Sequence, residues 1–184
     1  MPETHTSPAH DEGPEEPDSS PAPPLSPENG AVWIELSLNL DDDDPPLAGW
    51  LEPLAAEAAR AAGVRQGQLS IAVVNDEQMA QFHQRYLDIA GTTDVLTFNL
   101  GDRLADDQIE GEVIVCLDEA RRQSASRGHG VRHEVLLYVV YGILHLMGED
   151  DQDPESFEHM HAREDQILSG LGMGAVFSRK EGTG

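Results

Sequence analysis

The chain has 184 residues and carries 35 Asp and Glu against 11 Lys and Arg, a formal charge of −24. Such a charge repels polyphosphates and argues against a generic nucleic-acid-binding surface. The length suits one domain with a real core, the single Cys116 excludes an intramolecular disulfide framework and fits a reducing compartment, and no apolar run reaches membrane-spanning length.

Residues 1–30 hold seven acids and no Lys or Arg, and are rich in Pro and Ser. They cannot bury enough apolar surface to offset chain entropy, so a disordered tail is expected. The same lack of a basic start argues against a signal peptide and for a soluble cytoplasmic protein. "VWIELSLNL" then alternates apolar and polar residues, as a half-buried strand does. The run Asp41–Asp44 followed by two prolines breaks it; a solvated loop is the plain reading of those acids.

"LAGWLEPLAAEAARAAG" reads as a helix closed by Gly63, with Pro53 marking a kink or a late start. "LSIAVVN" is a buried strand. Asn75 caps the next helix, which has acids in its first turn and runs to about Leu87. His83 lies on it as a partly exposed surface residue. "GTTDVLTFNL" is a loop entering a strand, and Glu110–Leu117 is another, with Cys116 as core. "DEARRQSASRG" is a short polar helix. A long apolar helix follows, "VRHEVLLYVVYGILHLMG", closed by Gly148. Asp153 and Pro154 open the last helix, as N-cap and first residue. One sheet of about four strands packed against helices follows from this order. Arg121, Arg122, Arg127 and Arg132 form a basic cluster in the acidic chain, either a solvated helix face or a hold on a phosphate backbone.

The chemistry concentrates in "YGILHLMGEDD", Tyr141 to Asp151. Tyr138, Tyr141 and His145 share one helix face at i, i+3 and i+7. Gly148 turns the chain, so that Asp151 can fold back towards the same point. Two ligands one turn apart and a third beyond a glycine turn hold zinc while leaving a place for water. His145 and Asp151 are ordinary zinc ligands. Tyr141 is a poor one, because its phenol must first lose a proton of pKa about 10. The plainer alternative is a buried helix with a satisfied histidine and an acidic loop after it.

These residues resemble the signature of the YbeY family, zinc-dependent endoribonucleases of bacterial rRNA maturation, H-G-x-L-H-L-x-G-Y-D-H. The Gly, Leu, His, Leu, Gly and Asp positions match at Gly142, Leu144, His145, Leu146, Gly148 and Asp150. Upstream, Tyr86 to Phe98 resembles the family segment Y-R-x-x-D-x-P-T-D-V-L-S-F, and Gly111–Val115 resembles its G-D-I-x-I strand. Met160, Glu164 and Ile167–Leu168 resemble its last helix. The likeness spans about residues 31–173. Three positions depart: Tyr141 replaces the first ligand histidine, Asp151 stands at the third ligand position, and Leu87 replaces a basic residue.

The resemblance implies a zincin-like α+β domain over residues 31–175, with a small mixed four-stranded sheet against about five helices, and a flexible end at 176–184. It implies a single-strand-specific endoribonuclease acting in rRNA maturation and ribosome quality control through a zinc-activated water. The metal set would be Tyr141, His145 and Asp151, with one Zn2+ weakly held, and the catalytic residues His145 and Asp94. Asp94 and Glu112 resemble positions near the family's groove, with loop-capping and strand-end roles as their plainer readings. His159 and His161 are candidate replacement ligands. The implied partners are an rRNA precursor and the small ribosomal subunit, with neither DNA nor a membrane. The alternatives are a non-catalytic ribosome-assembly factor with a degraded metal site and, less favoured, a metalloprotease; for the latter, Gly142 stands where the catalytic Glu belongs.

Overall fold

The structure, a computed structural model, describes residues 32–39, 45–101 and 105–176. The acidic segment 1–30, the Asp41–Asp44 run and residues 177–184 lie outside the described residues. The elements are β1 (Val32–Asn39), α1 (Pro45–Ala62), β2 (Gln66–Val74), α2 (Asp76–Leu87), β3 (Val95–Asn99), β4 (Gln108–Cys116), α3 (Leu117–Arg127), α4 (Val131–Leu146) and α5 (Pro154–Gly170).

The sheet order is β1-β2-β4-β3, with β1 and β2 parallel, β2 and β4 parallel, and β3 antiparallel to β4. The mixed α+β architecture read from the sequence is the one the chain adopts. Strand alternation sorts the two faces. Leu69, Ile71 and Val73 of β2 and Val113 and Val115 of β4 join the main core with α1, α4 and α5. Ala72, Val74, Ile114 and Cys116 point the other way and pack with Met79 of α2 and Leu96 of β3. Cys116 is thus core, as its apolar neighbours suggested.

Several boundaries differ from the sequence reading. Strand β2 begins at Gln66, three residues early, because its polar start pairs with β4 from Gln108 onward. Helix α1 begins at Pro45, so Pro53 lies inside it, on an exposed position where its ring meets no core. The Asn75 cap is as expected: its side chain accepts from the Gln78 N–H, and the Gln78 side chain accepts from the Asn75 N–H. At the C-terminal end, the Val176 N–H donates to Asp165 Oδ1 at 2.6 Å.

Helix α4 decides where the site lies. It is apolar on nearly every side and buried against β3, β4, α1, α3 and α5. Gly142 lets it come this close. A Cβ there would lie 2.7 Å from Val113 Cγ2 and 3.1 Å from Thr97 Oγ1. The helix therefore rests on β3 and β4, and β3 is an edge strand. Among the described residues no helix is long and apolar enough to cross a membrane.

Candidate active site

One row of α4 is polar in spite of its burial. Glu134, Tyr138, Tyr141 and His145 recur at helical spacing along it. Glu134 and Tyr138 are buried, while Tyr141 and His145 are half-buried towards the C-terminal end. The helix stops at Leu146, and Gly148 takes a φ of +87°, which turns the chain back. Asp150 steadies the turn by accepting the Asp151 N–H at 2.8 Å.

The turn returns Asp151 to the helix. The Tyr141 hydroxyl donates to Asp151 Oδ2 at 2.7 Å, and the Tyr141 and His145 rings meet edge to face with centroids 4.3 Å apart. The three signature residues therefore converge. Burial pushes the Tyr141 phenol far above its ordinary pKa, and the bond to Asp151 and the charges of Asp151, Asp94 and Glu164 push it further. The phenol stays neutral and spends its proton on the carboxylate. Among the described residues no hydrogen bond engages the His145 ring nitrogens.

The other candidates fall into place around this point. Asp94 Oδ1 accepts the Val95 N–H at 2.9 Å and the Thr93 hydroxyl at 3.1 Å, so it caps the loop into β3. Its charge is near enough to raise both the Tyr138 and Tyr141 phenols. Glu112 shares the strand alternation of Ile114 and Cys116, which puts it on the α2 face, opposite α4. It does not join the site. Leu87 ends α2 half exposed and brings no cation.

The arginine cluster is engaged elsewhere. Arg121 pairs with Asp118 at 2.9 Å, and Arg122 forks onto Asp76 at 2.7 and 2.8 Å while also meeting Glu119. Arg127 reaches Glu134 at 2.7 Å, and Arg132 lies 5.7 Å over the Trp50 ring. Intramolecular neutralisation favours the solvated-face reading over a phosphate grip. His159 Nδ1 lies 3.6 Å from Glu149, and His161 Nδ1 meets Glu164, so each candidate replacement ligand has a carboxylate beside it.

The zinc implied by the sequence can be tested on the donors. A catalytic zinc takes three protein ligands. His145 and Asp151 supply two; the third position is a neutral phenol already bonded to one of them. Among the described residues no group of three His, Cys, Asp or Glu side chains is placed to hold a metal ion. The donor set does not fit a three-ligand zinc site.

The family model described as Endoribonuclease YbeY matches residues 40–172. The chain belongs to the YbeY family. A relative from Carboxydothermus hydrogenoformans, named Endoribonuclease YbeY, is 37% identical over 109 residues, 59% of this chain and 76% of its own. Its namesake from Thermobifida fusca is 34% identical, over 56% of this chain and 71% of its own. The solution structure of a Thermotoga maritima protein superposes with a TM-score of 0.53 at 21% identity, covering 82% of this chain and 99% of that one. The fold is the family's zincin-like α+β fold. In the YbeY register Gly142 replaces a protease's catalytic Glu, and its contact with Val113 leaves no room for one.

Sequence reading named Glu164 only as part of the likeness to the last helix, and it missed Glu134 and the burial of both acids. Glu134 is bound by Arg127 and His129, and Glu164, 1% exposed, by His161. Burial pushes Glu164 up to about 8, with Asp165 and Asp151 adding to it, and burial pulls His161 down. Both shifts favour neutral forms, so one shared proton can sit on Glu164 and be donated to the imidazole. Glu134 gave no distinct signal, because it lies in the first turn of α4, where an acid is ordinary.

Proposed function

We propose that this protein is an endoribonuclease that cleaves single-stranded RNA in the maturation and quality control of ribosomal RNA. Its partners would be an rRNA precursor and the small ribosomal subunit, met in the cytoplasm. The observation that carries the reading is the meeting of Tyr141, His145 and Asp151 at the end of α4, in the register of a family whose relatives are named endoribonucleases. His145 is the group assigned to the chemistry. Its ring is half-buried and its nitrogens are not taken by a described neighbour. Asp94 is assigned a positioning role, since its carboxylate holds the loop that borders the site.

A second reading has its own support. A non-catalytic assembly factor would keep the fold and lose the reactive groups, and both the phenol at Tyr141 and the apolar Leu87 point that way. One lost charge-assisted donor commonly lowers a rate by about 10²–10³. Purified full-length chain incubated with a single-stranded RNA separates the two. The expected result is slow cleavage that His145→Ala abolishes. RNA binding without cleavage would leave the assembly factor standing, and neither binding nor cleavage would overturn both.

A further inference from the structure

The first signature position decides how this site can work. Tyr141 enters it as a hydroxyl, and that hydroxyl donates to Asp151 Oδ2 at 2.7 Å. Asp151 is the side chain that would otherwise offer this oxygen to a cation. The hydroxyl's proton and one carboxylate oxygen are taken up in a hydrogen bond of the strong, charge-assisted kind. With that bond in place, a dication would find two ordinary donors, His145 and the other Asp151 oxygen, rather than three. The hydroxyl at the first signature position is thus engaged with Asp151 rather than offered as a third ligand.

This has a chemical consequence. Water has a pKa of 15.7, and a zinc ion makes it a nucleophile at neutral pH by lowering that to about 7. A site without the metal has no such hydroxide. RNA, however, carries its own nucleophile, a 2′-hydroxyl beside each phosphorus. Intramolecular attack gains an effective molarity on the order of 10⁵ M or more when the geometry is right. The His145 imidazole, edge-on to the Tyr141 ring at 4.3 Å, is the available proton acceptor.

We infer that the Tyr141–Asp151 pair replaces the metal ion, and that His145 cleaves RNA by activating the substrate's own 2′-hydroxyl. The second half of this rests on the function proposed above; the first does not. In the step, the 2′-hydroxyl proton passes to His145 and the 2′-oxygen bonds to phosphorus. The bond from phosphorus to the 5′-oxygen breaks. The imidazolium returns its proton to that oxygen, directly or through water. The products are a 2′,3′-cyclic phosphate and a 5′-hydroxyl end, and no oxidant, water or metal is consumed. Tyr141 and Asp151 are positioning residues in this scheme.

The test begins with zinc counted by mass spectrometry on the full chain, purified without added metal. The natural chain should hold well under one ion per chain, about 0.1 or less, and Tyr141→His should approach one, since it rebuilds a three-donor set. Folding of the variant is checked by circular dichroism. Zinc should raise the thermal midpoint of Tyr141→His and leave the natural chain unmoved. Should Tyr141→His not fold, the natural chain's own zinc count and its midpoint with and without zinc decide the matter. A tightly held ion in the natural chain overturns the replacement. Cleavage should survive EDTA and leave 5′-hydroxyl ends that a polynucleotide kinase can label. Loss of cleavage in EDTA, or 5′-phosphate ends, overturns the metal-free route. A chain that cleaves no RNA at all defeats the proposed function, while the zinc count still decides the replacement by itself.

Discussion

Glu134 has no exposure to water, and its two oxygens are divided between Arg127 and His129. Removing one partner from a buried ion pair leaves a charge that the interior cannot solvate. Arg127→Met should therefore cost about 3 kcal/mol, at the low end for such a change because His129 remains; urea unfolding reads it. Glu164 behaves differently, because its carboxyl is pushed up to about 8 by burial. A folded pKa raised above the unfolded one adds stability that is full below about 4.3 and lost as pH rises through 8. The thermal midpoint of the natural chain should thus fall relative to Glu164→Gln between pH 5 and 8.5. A constant difference across that range would show that Glu164 keeps its charge. The signature was legible at this scale because Tyr141, His145 and Asp151 are joined by helix spacing and one glycine turn, both local. The acids were not, because their burial depends on which elements close over them.

Among the elements, α4 is the one whose packing cannot be loosened without moving the site. Its Gly142 meets Val113 and Thr97 so closely that an added methyl would lie 2.7 Å from Val113 Cγ2. Alanine is the better helix former by about 1 kcal/mol, yet overpacking costs about 1–3 kcal/mol. Gly142→Ala is therefore expected to destabilise the chain, and any gain in denaturation midpoint would mean that α4 can shift freely off the sheet. Helix α4 was legible as a long apolar run, and α2 from its cap and first-turn acids. The starts of β2 and β4 were not. Gln66 and Gln108 carry no apolar alternation, and only their mutual pairing makes them strand. The same limit applies to α3, whose arginines announced a basic cluster. Asp118 and Glu119 pair with them within α3, but two further acidic partners, Asp76 and Glu134, lie on other helices.

For the whole molecule, the formal charge of −24 outweighs any single pair. Like charges spread over one small body repel, and salt screens them with a Debye length of about 10 Å at 0.1 M. The thermal midpoint should rise from low to moderate salt; a fall would mean that local pairs such as Arg122 with Asp76 dominate. RNA affinity should not fall over the same range, since Arg121, Arg122 and Arg127 are already paired within the chain and screening also weakens the repulsion between this acidic body and RNA. The α+β class was readable from element order, whereas the order β1-β2-β4-β3 was not, because adjacency of β2 and β4 skips a strand. That skip governs the chain's first moments in the cell. Gln66 and its partner Gln108 stand 42 residues apart. A ribosome adds about 5–20 residues each second, so β2 waits about 2–8 s for the strand that will cover its open side. For that interval the apolar edge of β2 stands unpaired, a template for wrong pairing that a chaperone's cover would protect.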